Sequence, residues 1–214
     1  MDRARIRTQS ESPRPPEIGL SAISAFLRAA TFTTIIFLFY FAAARRPLAA
    51  QSQTAGEYEV KAAFLYNFAK FIDWPQSSFA GPDGPFAICV LGLDPFGRTL
   101  DDALQGRKVG RHPVTLARLQ DAVQARRCQI VFVSSSERRR LSEIEDRLRG
   151  ASVLLVGEFP GFADAGGTLQ FTIEDNRVRF LINTDSVQRT GLRLSSKLLS
   201  VATVVHDSAG NGKS

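Results

Sequence analysis

Three short apolar runs constrain the fold of this chain more than any other feature. They occupy residues 86–91 (FAICVL), 128–134 (CQIVFVS) and 153–157 (VLLVG). Uninterrupted apolar runs of this length are typical of strands that are buried on both faces of a sheet. Segments with helical spacing, such as residues 135–149, separate them. This alternation predicts an α/β fold, a single domain with a mostly parallel central sheet flanked by helices.

The last third of the chain predicts a change to antiparallel pairing. Residues 168–174 (TLQFTIE) and 177–183 (RVRFLIN) have the pattern of two strands. Asp175 and Asn176 join them, and these residue types tolerate the left-handed backbone of a tight hairpin turn. We therefore expect a C-terminal antiparallel hairpin. The elements predicted after it are helical pieces at 184–190 and 192–205, the end of the domain at 206, and a disordered tail at 207–214.

The segment 57–75 predicts an amphipathic helix that opens the domain and anchors its core. Large apolar residues recur there at three- and four-residue steps, the spacing of one helix face, and Pro75 ends the pattern. A buried amide needs hydrogen-bond partners, so we interpret Asn67, which falls on the same face, as a structural residue that holds a neighbouring backbone loop. The predicted buried stripe consists of Val60, Ala63, Phe64, Asn67, Phe68, Phe71 and Ile72.

The first 50 residues predict a signal peptide. A basic stretch ends at Arg28, an uncharged apolar run of 16 residues follows at 29–44, and small residues lead up to Ala50. This order is typical of an export signal, and a membrane-spanning helix needs about 20 apolar residues. We therefore expect export to the periplasm with cleavage near Ala50. An uncleaved membrane anchor is the weaker alternative.

Removal of this leader leaves a nearly neutral protein. The whole chain has 27 basic and 21 acidic residues, and residues 1–50 hold 7 and 3 of them. The remaining 164 residues carry 20 basic and 18 acidic side chains. That balance gives no reason to expect a nucleic-acid partner.

Cys89 and Cys128 are the two cysteines of the chain. An even number of cysteines in an exported protein favours one disulfide bond. A bridge across a loop of this length would stabilise the fold by roughly 4 kcal/mol. Two buried free thiols are the alternative, because cysteine also packs as a small apolar residue.

The sequence shows no catalytic or metal-binding constellation. His112 and His206 have no cysteine, histidine or carboxylate at metal-ligand spacing, and the common nucleophile, phosphate-loop and metalloprotease motifs are absent. Residues 92–97 match a phosphate-binding turn only weakly, because Pro95 removes one of the backbone donors that such a site uses. We therefore predict a protein that is not an enzyme and that needs no cofactor or metal.

Five segments carry a resemblance to a known family. They are KAAFLYNFAKFIDWP at 61–75, FAICVLGLDPFG at 86–97, CQIVFVSSSE at 128–137, VLLVGEFPGFADAGG at 153–167 and INTDSVQRTGLRLSSKLLSVA at 182–202. In this order they resemble the YfiR family of periplasmic regulatory proteins (YfiR/HmsC-like). The resemblance implies one α/β domain with Asn67 and Trp74 as structural signature residues. Cys89 and Cys128 fall where relatives carry a cysteine pair, whereas a second pair found in some relatives has no counterpart here.

The resemblance also implies a function in binding. The expected partner is the periplasmic domain of a membrane-anchored diguanylate cyclase, which the protein would repress, lowering cyclic di-GMP and biofilm formation. The alternative is a periplasmic protein that binds a small ligand in the crevice at the strand ends, near residues 92–97 and 160–167. A homodimer is a further association that the sequence leaves open.

A protein-binding surface requires exposed apolar side chains within a polar rim. The candidates for the partner interface are Phe159 and Phe162, which lie among turn residues, and Leu198 and Leu199 in the last predicted helix. The competing interpretation of Phe159 and Phe162 is that they fold back onto the core.

Overall fold

The computed structural model describes residues 48–207, with side chains from residue 55 onward. Apart from its last three residues, the predicted leader lies outside the described residues, and so does the predicted tail beyond 207. Within the described part, no helix combines the length and the apolar character that a membrane crossing requires.

Ten strands form two sheets in this part of the chain. They are β1 (Ile72–Asp73), β2 (Phe86–Leu91), β3 (Lys108–Val109), β4 (His112–Leu119), β5 (Ile130–Val133), β6 (Leu154–Gly157), β7 (Leu169–Glu174), β8 (Arg177–Asn183), β9 (Arg193–Leu194) and β10 (Thr203–Val205). Eight of them form one sheet in the order β10-β8-β7-β6-β5-β2-β4-β3. The two remaining strands, β1 and β9, pair with each other in antiparallel orientation.

Helices lie between the strands. The α-helices are α1 (Leu48–Phe71), α2 (Arg98–Leu104), α3 (Leu141–Leu148), α4 (Thr184–Thr190) and α5 (Ser196–Leu199). Short 3₁₀ helices occupy Gln76–Ser78, Ala122–Arg127 and Ser135–Arg140.

The predicted α/β sheet is confirmed. Five neighbouring strands, in the order β4-β2-β5-β6-β7, run parallel to one another. In β2, the side chains of Phe86, Ile88 and Val90 pack in the core cluster that contains α1, whereas Cys89 and Leu91 pack in the cluster that contains α3. Because helices cover both faces, these strands are apolar without interruption.

The predicted C-terminal hairpin is also confirmed. Strands β7 and β8 pair in antiparallel register from Leu169 opposite Ile182 to Glu174 opposite Arg177. Asp175 and Asn176 have φ angles of 48° and 61°. Both residues thus adopt the left-handed backbone that a two-residue hairpin loop requires.

The inner face of the first helix is only partly the one that the spacing of its apolar residues predicts. Phe68 and Ile72 of the predicted stripe are buried, whereas Val60 and Phe71 are exposed. Helix α1 begins at Leu48 and ends at Phe71, and the two residues that follow form β1. The face that packs on the sheet consists of Lys61, Ala62, Leu65, Phe68 and Ala69. Apolar residues surround most of this helix, so a three-to-four-residue step fits more than one face.

The prediction of a helix over residues 192–205 is wrong. This segment instead forms β9, the one-turn helix α5 and β10, which adds to the sheet beside β8 in parallel orientation. Three β-branched residues, Thr203, Val204 and Val205, favour an extended backbone, and β8 offers an unpaired edge for them. The predicted helix before it is present as α4 and ends at Gly191, which adopts a left-handed φ of 70°.

Candidate functional site

The loop that follows β6 does not expose its two aromatic side chains. Phe159 and Phe162 are both buried, and their rings meet edge to face with centroids 5.0 Å apart. A Cβ atom added to Gly157 would lie 2.6 Å from the ring of Phe162, so the backbone closes tightly around this side chain. The interface proposed for Phe159 and Phe162 is therefore wrong, and the competing interpretation of a loop folded onto the core is correct.

The two other interface candidates, Leu198 and Leu199, differ in their exposure. Leu198 is buried in the cluster on the α1 side of the sheet. Leu199 is exposed, as is Val201 two residues later. The short helix α5 thus turns Leu198 inward, and only Leu199 stays available to a partner.

An apolar surface that the sequence assigned to the core lies on the outer side of α1. Val60 is 44% exposed and Phe71 is 37% exposed, and the accessible residues that continue the same side are Ala63, Phe64 and Asn67. We call these five residues the outer stripe. Phe64 is half-buried because its ring packs against Phe171 and Phe180 of the hairpin strands, at centroid distances of 6.1 and 5.4 Å.

The two signature residues occupy different environments. Asn67 is only partly buried, and its side chain makes no hydrogen bond to another described residue. The expected burial of Asn67 against a backbone loop is therefore not found. Trp74 closes the end of α1: its Nε1 donates a hydrogen bond to the carbonyl of Ala69 at 3.1 Å, and its ring meets Phe86 at 5.1 Å.

A buried ionic cluster joins α1 to the end of β6. The Lys61 ammonium group donates to Glu158 at 2.6 Å and also to Glu57, and the Tyr58 hydroxyl donates to Glu158 at 3.1 Å. Only 5% of the Lys61 side chain is exposed. Burial and the negative charge of Glu158 raise the pKa of the Tyr58 hydroxyl far above its ordinary value, so the tyrosine stays a hydrogen-bond donor.

A cleft of about 710 Å³ lies beside this cluster. Its walls come from residues 57–61 of α1, the 3₁₀ helix after β5, the residues after β6, and strand β7. Sequence reasoning missed this site because Lys61 lies outside the buried stripe that the spacing of the apolar residues predicts. One signal was available in the sequence. Lys61 directly precedes Ala62 and follows Glu57 by four residues, the spacing at which two side chains contact each other on a helix.

The crevice expected near residues 92–97 is closed by the protein itself. The Arg118 guanidinium donates to Asp94 at 2.7 Å, to Asp101 at 2.6 Å and to the carbonyl of Gly97 at 2.9 Å. These hydrogen bonds lower the pKa of the Asp101 carboxyl. On the other side of the crevice, the hydroxyl of Ser136 occupies the space that a side chain in place of Gly92 would need. This part of the predicted ligand crevice is therefore filled.

The cysteine pair is bonded, as predicted. Cys89 on β2 and Cys128 just before β5 form a disulfide between neighbouring parallel strands. Both residues are buried in the core cluster on the α3 side of the sheet. The alternative of two free buried thiols is excluded.

The two histidines have local roles. The ring of His112 stacks on Phe79 with centroids 3.9 Å apart, and its Nδ1 is 2.8 Å from the carbonyl oxygen of Gly84. His206 lies near Thr184 and Asp185 at the end of the described chain. Among residues 55–207, no group of three or more histidine, cysteine or carboxylate side chains is arranged to hold a metal ion.

Together, the fold and the site define an α/β protein. Its surface offers a partner or ligand an apolar stripe and clefts lined by charged residues. A family profile described as YfiR/HmsC-like matches residues 58–203. The chain therefore belongs to the YfiR/HmsC-like family, which is a family of regulatory rather than catalytic proteins.

Two other comparisons add little. A solved structure of an ABC domain from Streptococcus pneumonia in complex with L-Trp aligns with a TM-score of 0.43 at 9% sequence identity. The alignment covers 56% of this chain and 55% of that chain, so this chain spans about half the length of that protein. The similarity is too low to support a conclusion about function. A search of curated proteins found no match.

Proposed function

We propose that this protein is a periplasmic regulator that binds the periplasmic domain of a membrane-anchored diguanylate cyclase and represses it. Repression lowers cyclic di-GMP and, with it, biofilm formation. Membership of the YfiR/HmsC-like family supports this function. The bonded pair Cys89–Cys128 supports an oxidising compartment, because disulfides persist mainly in exported proteins.

The observation that carries the binding role is the outer stripe of α1. An apolar helix face that remains accessible beside a well-packed core is a common form of protein-binding surface. The stripe runs from Val60 to Phe71, about 16 Å along a helix that rises about 1.5 Å per residue. Charged Glu59 and Lys70 flank it and provide part of a polar rim. Leu199 is a further exposed apolar residue that we assign to the partner surface.

The test is a double substitution, Val60→Ser with Phe71→Ser, in the protein expressed with its cyclase. Both side chains are partly exposed, so we expect a folded protein whose melting temperature is only modestly lower than that of the wild type. We expect it to lose repression, measured as a rise in cellular cyclic di-GMP and in surface attachment. The matched control is Leu93→Ser with Val123→Ser, two exposed apolar residues outside α1, which should keep repression.

Two results would contradict this assignment. Full repression by the folded Val60 and Phe71 variant would show that the outer stripe is not the cyclase surface. A wild-type dimer in size-exclusion chromatography that the same substitutions convert to a monomer, with repression intact, would assign the stripe to a homodimer instead.

A further inference from the structure

A second cavity lies on the α3 side of the sheet, away from α1. It has a volume of about 630 Å³, within the range of small-molecule sites. Its walls are α3, the segment that leads into β6, residues 164–168 and α4. The apolar part of the lining consists of Leu148, Val153 and Leu155, all buried.

One carboxyl group in this cavity lacks a partner. The Oε1 atom of Glu145 is inaccessible to solvent and forms no hydrogen bond with any described residue. A Cβ atom at position 166 would lie 2.5 Å from that oxygen, so Gly166 leaves the space that the carboxyl group occupies. Burial raises the pKa of Glu145 to about 7. A buried acceptor without a donor is costly, so the carboxyl group favours its protonated form, and a cation bound in the cavity beside it would favour the ionised form.

The other charges around the cavity are largely neutralised in pairs. Arg189 is paired with Asp207, and Arg149 is paired with Asp146. The remaining charged residues are Glu145 and Asp164, and neither forms an ion pair within the described part of the chain. The unpaired charge is therefore negative, which disfavours an anionic ligand and favours a cation.

We propose that this cavity binds a small organic cation, an alkyl amine whose protonated amino group donates a hydrogen bond to Glu145. The methylene chain of the amine packs on Leu148, Val153 and Leu155, which gives the site its preference for an organic ion over a hydrated metal. Asp164 accepts the second amino group of a diamine. The assignment is independent of the cyclase, because it concerns a cavity on the opposite side of the sheet from the outer stripe.

The experiment measures binding of cadaverine, a five-carbon diamine, by isothermal titration calorimetry at pH 8, where Glu145 is ionised. Glu145→Gln replaces a hydrogen bond between two charged groups by a weaker one to a neutral amide, so it should weaken binding at least about tenfold. This variant removes a buried charge and keeps the side-chain volume, so it should fold at least as well as the wild type. The matched control is Glu143→Gln, an exposed carboxylate two residues earlier on α3, which should bind cadaverine like the wild type.

A neutral analogue separates charge recognition from apolar contact. We expect 1,5-pentanediol, which has the same chain length without the amino groups, not to bind. The proposal is overturned if cadaverine does not bind the wild type at millimolar concentration, or if the diol binds equally well. It is also overturned if Glu145→Gln binds cadaverine unchanged, or if Glu143→Gln loses as much affinity, since that loss would reflect the surface charge of the whole helix. Repression of the cyclase is a separate measurement, so failure here would leave the proposed function standing.

Discussion

The surroundings of the Glu145 carboxyl group disfavour its charged form, and this predicts a pH dependence of stability. The usual pKa of a glutamate is 4.5, and burial raises the pKa of Glu145 to about 7. Between these two values the folded protein keeps a proton that the unfolded chain has released. The contribution of this group to the free energy of unfolding therefore falls as the pH rises through this window and is lowest above pH 7.

We expect Glu145→Gln to be more stable than the wild type at pH 8 and to differ little from it at pH 5. Glutamine mimics the protonated acid, so it keeps the shape of the side chain and cannot ionise. Melting temperatures at several pH values between 5 and 8 check this prediction. Glu143→Gln, on the exposed side of the same helix, should follow the wild-type profile. A wild-type profile for Glu145→Gln would show that the buried carboxyl carries no penalty.

The site residues show where single residues can and cannot be predicted from sequence. The bond between Cys89 and Cys128 was predictable, because two cysteines behind a predicted export signal have few alternatives. For Phe159 and Phe162 the sequence left both exposure and burial open, because a loop between turn residues has no periodicity from which to derive an inner face. The sequence pattern did not single out Glu145, although it directly follows Ile144, whose side chain is fully buried.

At the scale of elements, the contact between Lys61 and Glu158 fixes α1 against the end of β6. Both side chains are nearly buried, at 5% and 12% exposure. Replacing one partner of a buried ion pair leaves an uncompensated charge and costs about 3–5 kcal/mol. We therefore expect Lys61→Met to lower the free energy of unfolding by that amount, measured by urea denaturation.

The double variant Lys61→Met with Glu158→Gln provides the control for this pair. It removes both charges, so it should recover most of the stability that Lys61→Met loses. If the two single substitutions instead had additive effects, the ion pair would not couple the helix to the strand.

The disulfide joins β2 to the chain entering β5 and closes a loop with a sequence separation of 39 residues. Its main effect is to restrict the unfolded chain, which corresponds to about 2–4 kcal/mol. We expect Cys89→Ala with Cys128→Ala to lower the free energy of unfolding by that amount. Wild-type protein in reductant should unfold at the same urea concentration as the double variant, which should itself be insensitive to reductant. Equal stability of the oxidised wild type and the double variant would contradict the prediction.

Elements were predictable where the local pattern and the tertiary environment agree. The strands β2, β5 and β6 and the β7–β8 hairpin could be located from sequence, because burial on both faces and a two-residue turn leave clear patterns. Helix α1 could be located but not oriented, since apolar residues lie on two of its sides. Strand β10 could not be separated from a helix, because its partner β8 lies about 20 residues earlier in the chain.

For the whole molecule, the two surfaces that we propose lie on opposite sides of the sheet. The outer stripe belongs to α1, whose inner face packs in one core cluster, and the amine cavity borders α3, whose inner face packs in the other. The central strands are shared by both clusters. The β1–β9 pair also joins the end of α1 to the chain that follows α4. The outer stripe and the amine cavity share no residue, so the two activities should be separable by substitution.

The regulatory function also requires that the protein reach the periplasm, and the leader predicts this. We expect that deleting the protein raises cyclic di-GMP in a strain that expresses the cognate cyclase, and that the full chain restores the low level. A chain that starts at residue 48 should fail to restore it, because it would stay on the cytoplasmic side of the membrane, where Cys89 and Cys128 are also kept reduced. Fusion of the same chain to an unrelated export signal should recover repression, which distinguishes lost export from lost folding. Repression by the leaderless chain would place the target in the cytoplasm and contradict the proposed function.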